Sequence, residues 1–250
     1  MDTIGLAVVA AVLLVVAGAW FSEYRRRARR HRDLLRLLER DRRLMVTVTP
    51  CGLAAGELAT GYEACPRGDR NFGVRYGVEG PTSLEVDGAE LTVDCAAFQW
   101  FWEVRRQTRA RGQRGTQHHE MTQTVAAIEL PVDLWRRILI RPESMIGRTG
   151  MTRGGIQVES DAFNRSFRVE ANDRNLAVQL LDASLQQLLV QSFRGRTIEL
   201  RGRVLLVAGT PDHRDDSLTG IVGELPAVRQ DVRRLLAAVP AQFWRAAHTG

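Results

Sequence analysis

The sequence predicts an α+β protein: a mostly antiparallel β-sheet covered by one central helix and a C-terminal helix, all carried behind an N-terminal transmembrane helix. Three observations lead there. An eighteen-residue apolar run from Ile4 through Phe21 contains no charge, no proline and no strongly polar side chain. Apolar residues recur with period two between positions 72 and 130, and a further apolar hairpin pattern spans 198–207. Leucine-rich stripes at helical spacing occupy 173–191 and 218–239.

The first element, residues 1–22, is the expected anchor. At 1.5 Å per residue the run spans about 27 Å as a helix, close to the ~30 Å hydrocarbon core of a bilayer. Two membrane readings stand, a span that is retained and a signal peptide cleaved at the small-x-small triplet Ala17-Gly18-Ala19. A signal peptide begins with a basic stretch, whereas here Met1-Asp2-Thr3 supplies an acid. Between positions 23 and 43 stand ten Arg against four acids. Basic residues beside a span hold that end in the cytoplasm. The expectation is an uncleaved single-pass anchor in the cell membrane, with the N-terminus outside and the C-terminal domain cytoplasmic.

At 250 residues the chain has room for one sizeable core besides the anchor, or two small ones. Its net charge of +6 equals the excess carried by residues 23–43, so the remainder sums to zero. The basic character belongs to one segment and not to a domain surface, which speaks against nucleic acid as a partner. Cys51, Cys65 and Cys95 form no C-x-x-C pair and are expected as free thiols in a reducing compartment.

Residues 23–45 form a basic amphipathic helix. Leu34, Leu35, Leu37, Leu38, Leu44 and Met45 fall on one side of the wheel, with arginines on the other. Arg25, Arg26, Arg27, Arg29, Arg30, Arg32 and Arg36 are the candidate membrane-surface contacts, each contributing up to about 1 kcal/mol on an anionic inner leaflet. The same leucine face equally suits packing on the domain or on a second copy. Residues 46–68, with Pro50, Gly52, Gly56 and Gly61, read as a linker or loose entry to the domain.

The α+β domain is expected over 69–212. Phe72, Val74, Tyr76 and Val78 alternate as a strand, and Asp87-Gly88 is a favoured two-residue hairpin link. In the next strand the apolar phase moves from Leu91, Val93 and Cys95 to Phe98, Trp100 and Trp102, which predicts a β-bulge near 96–98. Alternation sends both Trp residues inward and leaves Phe101 as the candidate partner contact. Residues 105–117 read as a polar loop at the tip of a long hairpin with basic character. The strand after it carries Thr122, Thr124, Ala126, Ile128 and Leu130.

His118-His119-Glu120 lacks the second histidine of a zinc-protease helix, because Gln123 occupies that position. Adjacent histidines in a strand point to opposite faces. The Gly-rich stretch 147–155 matches no phosphate-binding motif and reads as a connection. Ser160 caps a short helix, a strand begins at Phe167, and Asn172 or Asp173 caps the single central helix over 173–191. In the C-terminal segment, 213–250, Pro226 is expected to kink or restart the helix. Phe243 and Trp244 suit either folding back on the domain or a membrane interface.

The string Glu159-Ser160-Asp161-Ala162-Phe163-Asn164-Arg165-Ser166-Phe167-Arg168-Val169, followed by Asp173 and a leucine-rich helix, resembles a group of uncharacterised bacterial proteins. These have one N-terminal span and a cytoplasmic α+β domain of unknown function. The resemblance covers residues 71–207. It implies a fold type and an anchor, and no activity, cofactor or catalytic residue.

Function is then expected to be a membrane-tethered cytoplasmic binding module. Its partners would be the bilayer with its anionic inner leaflet, and a protein partner or a second copy. A structural subunit of a membrane assembly is the alternative. A membrane-anchored enzyme is the third reading, disfavoured because no nucleophile–base spacing or metal-ligand pattern stands out.

Overall fold

The computed structural model describes residues 45–47, 49–86, 89–110, 113–130, 133, 136–143, 155–211 and 218–248. The apolar run from Ile4 to Phe21 and the arginines from Arg25 to Arg36 lie outside the described residues. So do Asp87, Gly88 and residues 144–154. Among the described residues no helix is long and apolar enough to cross a membrane.

The fold is α+β, as the alternation and the helical stripes require. Its eight strands are β1 (Met45–Val46), β2 (Phe72–Val86), β3 (Ala89–Ala110), β4 (Gln113–Glu129), β5 (Arg137–Pro142), β6 (Phe167–Ala171), β7 (Thr197–Arg201) and β8 (Val204–Ala208). They form one sheet in the order β1-β2-β3-β4-β8-β7-β5-β6. Every neighbouring pair is antiparallel. The β7–β8 hairpin turns at Gly202, whose φ of +57° only glycine adopts without strain. Gly77 permits a second close approach: a Cβ there would lie 2.6 Å from the Thr47 carbonyl oxygen, so β1 could not pair at this depth.

Among the described residues the helices are α1 (Ala55–Gly61), α2 (Asp161–Ser166), α3 (Arg174–Leu180), α4 (Ala183–Ser192), α5 (Leu218–Ala237) and α6 (Ala241–His248), of which α1 and α6 had no sequence signal. The Ser160 hydroxyl accepts from the Phe163 N–H, and the Asp173 carboxylate from the Asn175 and Leu176 N–H groups, as expected of caps. The single helix expected over 173–191 is instead two. Asp182 accepts a hydrogen bond from the Leu185 N–H and starts α4 afresh, so the helix axis breaks after Leu180. Pro226, expected to kink or restart the last helix, lies within α5, so the helix does not restart there.

The sheet is buried on both faces. On one side Cys95, Ile128, Ile138, Ile198, Leu205 and Val207 pack with residues of α2 to α6. On the other, Phe98, Trp100, Trp102, Val125 and Leu206 pack with Leu58, Ala64 and Cys65. The change of apolar phase along β3 therefore needs no bulge in that strand. Both of its ladders run unbroken through 95–98, and the register shift lies across from it, between Val74 and Tyr76 of β2. Two covering layers, one on each face, bury side chains of both parities in succession.

One more expectation changes, and one open alternative is decided. Residues 105–117, read as a loop, are largely strand, because β3 continues to Ala110 and β4 starts at Gln113. Phe243 and Trp244 fold back into the helix-side core with Val232, Leu235 and Leu236. Their rings meet edge to face at 5.5 Å.

Trp100 is fully buried and its indole N–H donates to the Pro66 carbonyl at 2.9 Å. Replacing it with alanine removes both contacts. Trp100→Ala is expected to cost about 3–5 kcal/mol, read as a lower urea midpoint of the full chain.

Candidate functional site

The stretch expected as a linker, residues 46–68, is the covering layer of the second sheet face. Its few apolar residues are spaced without helical or strand period because they follow a strap, not a regular element. Within it lie a 3-10 turn (Pro50–Gly52) and α1. Leu58 and Cys65 are fully buried. Besides the Trp100 indole on β3, polar contacts from four strands hold it down. The Cys51 N–H donates to Glu79 on β2 at 3.2 Å. The Gln123 side chain on β4 donates to the Ala64 carbonyl at 2.5 Å. Arg201 on β7 donates to the Gly61 carbonyl and lies 5.9 Å from the Tyr62 ring centre.

The fourth contact is the strongest. Glu199, at the centre of β7, is completely buried on the strap side. One carboxylate oxygen accepts from the Ala64 N–H at 2.9 Å and the other from Arg137 Nε on β5 at 2.7 Å. Arg137 reaches on to Glu63 of the strap at 2.8 Å. Arg141 bridges Glu63 at 3.3 Å and Glu170 at 2.6 Å. Burial lowers the Arg137 pKa, but its hydrogen bonds to Glu63 and Glu199 outweigh this and leave it raised, so the guanidinium stays charged. A buried carboxylate with a charged donor and a backbone donor is satisfied; without them it would be unsupportable.

Beside this network is a cleft of about 380 Å³ lined by Tyr62, Glu63, Arg67, Arg137 and Arg201 among others. Burial pushes the Tyr62 hydroxyl up to about 12 against the opposing pull of Arg201, so it remains a neutral donor. A larger groove of about 980 Å³ runs between α2, α3, α4 and α6, and includes Ser160, Arg174, Val178, Asp182, Gln186 and Gln242. Val178 on its wall is 48% exposed. A third cleft of about 410 Å³ under α5 is lined by Arg194, Arg196, Thr210, Val207 and Val228 among others. Arg196 is already paired with Asp231 at 2.6 Å.

Phe101, the candidate partner contact, is half-buried. It stands opposite Gly73 on β2, and the Arg75 guanidinium lies 4.9 Å from its ring centre. Arg75 in turn pairs with Glu120. The ring face is therefore covered by a cation held in place from β4. His118 and His119 fall opposite Arg105 and Val104 on β3. Among the described residues no group of three or more His, Cys, Asp or Glu is placed to hold a metal ion.

The cysteines are free thiols, Cys65 and Cys95 buried and Cys51 partly so. Burial pushes Cys95 up to about 11 and Cys51 and Cys65 well above the usual thiol range. A thiol held protonated is a poor nucleophile. Neither Cys95 nor His119 lines any of the three clefts.

Sequence reasoning did not find Glu199, Arg137 or Glu63. The available signal was a lone acid between Ile198 and Leu200 at the centre of a short strand. A charge at a buried strand position announces a partner, although not which one.

No protein-family model matches the chain, and comparison with curated protein sequences finds no match. Among solved structures the chain is similar to the mycobacterial trehalose monomycolate transport factor A, TtfA. The identity is 11% and the TM-score 0.31, over 65% of this chain and 75% of that one.

Glu199→Ala leaves Arg137 and the Ala64 N–H without their acceptor. It is expected to cost about 3–5 kcal/mol and to loosen the strap. Under native conditions Cys65 should then react with a thiol reagent that leaves it untouched in the parent protein. A stable variant with Cys65 still blocked would show that apolar packing alone holds the strap.

Proposed function

We propose that the protein is a membrane-tethered interaction module whose α+β domain works at the cytoplasmic face of the cell membrane. The observation that carries this reading is the join between tether and domain. The apolar run ends at Phe21, the arginine-rich segment runs to Arg43, and β1 begins at Met45. The strap that follows is bound to five strands, so the domain begins at Met45, almost immediately after the basic segment in sequence. In this reading Arg25, Arg26, Arg27, Arg29, Arg30, Arg32 and Arg36 lie along the anionic inner leaflet. The domain then presents its surfaces to a protein partner a short distance from the bilayer.

The buried, protonated thiols support a binding role over cysteine chemistry. The charged groups around Glu199 do so as well, since their carboxylates and guanidinium groups are spent on one another and on the strap.

The compartment is tested by thiol labelling, and the structure dictates where the thiol must be. Cys65 and Cys95 are too buried to report on topology, and Cys51, only partly buried, is replaced by Ser in the reporter. Ser184 is exposed on α4, and Ser184→Cys changes one atom of a side chain in solvent. A membrane-impermeant maleimide is expected to label this variant only after the cells are opened. Labelling in intact cells would reverse the orientation. A full chain that sediments with membranes, and a chain lacking residues 1–22 that does not, would support the tether. Recovery of both in the soluble fraction would overturn it.

A further inference from the structure

β3 is the longest strand, at 22 residues, or roughly 70 Å at ~3.3 Å per residue. It belongs to two hairpins that end at its opposite ends. Beyond the Phe72↔Trp102 pair, β3 and β4 continue as a two-stranded ribbon as far as Ala110↔Gln113. Beyond Cys95↔Ile128, β2 and β3 continue without β4 as far as Val86↔Ala89.

These two ribbons carry opposite charge. Residues 104–119 contain arginines and no acid, and residues 83–94 contain acids and no base. In the first ribbon Arg109 stands directly opposite Arg114, with Arg105 exposed in the same alternation. In the second, Glu85 stands directly opposite Glu90, with Asp94 exposed in the same alternation. Like charges placed directly opposite destabilise a strand pair, and a two-stranded ribbon has little stability to spare. The acidic ribbon is backed on one face by α5, whereas the basic ribbon extends as two strands; each concentrates one sign of charge, and the two signs are complementary.

We infer that the basic β3–β4 ribbon of one molecule docks on the acidic β2–β3 ribbon of a second copy of this chain. The two surfaces are different patches at opposite ends of one strand, so the contact is head-to-tail and either closes into a ring or extends as a row. Strand direction disfavours the bilayer as the occupant. Met45 pairs with Glu79, and β1 runs antiparallel to β2, so the chain enters the sheet from the acidic end. The Arg109↔Arg114 pair lies some 40–45 Å away from that entry along β3, at ~3.3 Å per residue. This inference goes beyond the tether; only the rejection of the bilayer as occupant rests on it.

The test uses the full chain in a mild nonionic detergent, with its mass followed by sedimentation velocity. Self-association is expected, weakening by about tenfold or more between about 0.05 M and about 0.5 M NaCl. R105E/R109E/R114E and E85R/E90R/D94R should each be monomeric, while mixing the two variants should restore assembly in a one-to-one ratio. The mixing experiment also guards against misfolding, because a collapsed variant cannot be rescued by its complement. A monomeric parent chain would overturn the inference, as would association indifferent to salt, or reversal variants that do not assemble when mixed. Salt-indifferent association would point to the leucine-rich segment 34–44. A parent chain that stays monomeric, with ribbon arginines needed for binding to phosphatidylglycerol vesicles, would assign the ribbon to lipid instead.

Discussion

A carboxylate cannot remain charged in the middle of a sheet without partners, and Glu199 has no access to water. Its partners come from two places far apart in sequence, Arg137 on a neighbouring strand and the Ala64 N–H on the strap. This one requirement ties the entry segment to the far side of the sheet. Once the strap is seated, Leu58 and Cys65 close over Phe98, Trp100 and Leu206, and the second face has a dry core. Without it those aromatic residues would face solvent. The Glu199 pair thus sets position, while the apolar contacts around it supply most of the stabilisation, at roughly 1.5–3 kcal/mol for each fully buried large side chain.

Covering both faces changes what the strands look like in sequence. A strand with one wet face alternates, whereas β3 through 95–98 buries every residue in turn. The helix layer and the strap divide its side chains between them, odd-numbered members to one and even-numbered to the other. The same arrangement explains why the C-terminal helices belong to the domain. Val232, Leu235, Leu236, Phe243 and Trp244 complete the core on the face opposite the strap. The ends of β3, where neither layer reaches fully, are where charge collects.

Much of the fold was legible. The strands around 72–78, 122–130, 167–171 and 198–207, the caps at Ser160 and Asp173, and the inward Trp100 and Trp102 all follow from local period and local hydrogen-bonding chemistry. The break at Asp182 had its signal too, since an aspartate after two leucines starts a helix as readily as it continues one. The strands beyond Glu103 and before Glu120 were silent, because residues 105–117 carry no hydrophobic alternation to show. The strap was silent for a related reason: an irregular segment buries residues by fit and not by period.

By itself, the sequence determined the fold class, the order and approximate bounds of most elements, and the segregation of basic charge beside an apolar run long enough to span a bilayer. Each of these follows from neighbours in the chain, whose spacing declares helix, strand or cap. Only the tertiary structure decided that residues 46–68 cover a sheet face, that Glu199 is paired, that the cysteines are sealed, and that opposite charges sit at the two ends of one strand. Those facts depend on residues brought together from distant parts of the chain by strand order and register. No local pattern encodes them, because the free energy that selects them is gained only when both sheet faces close.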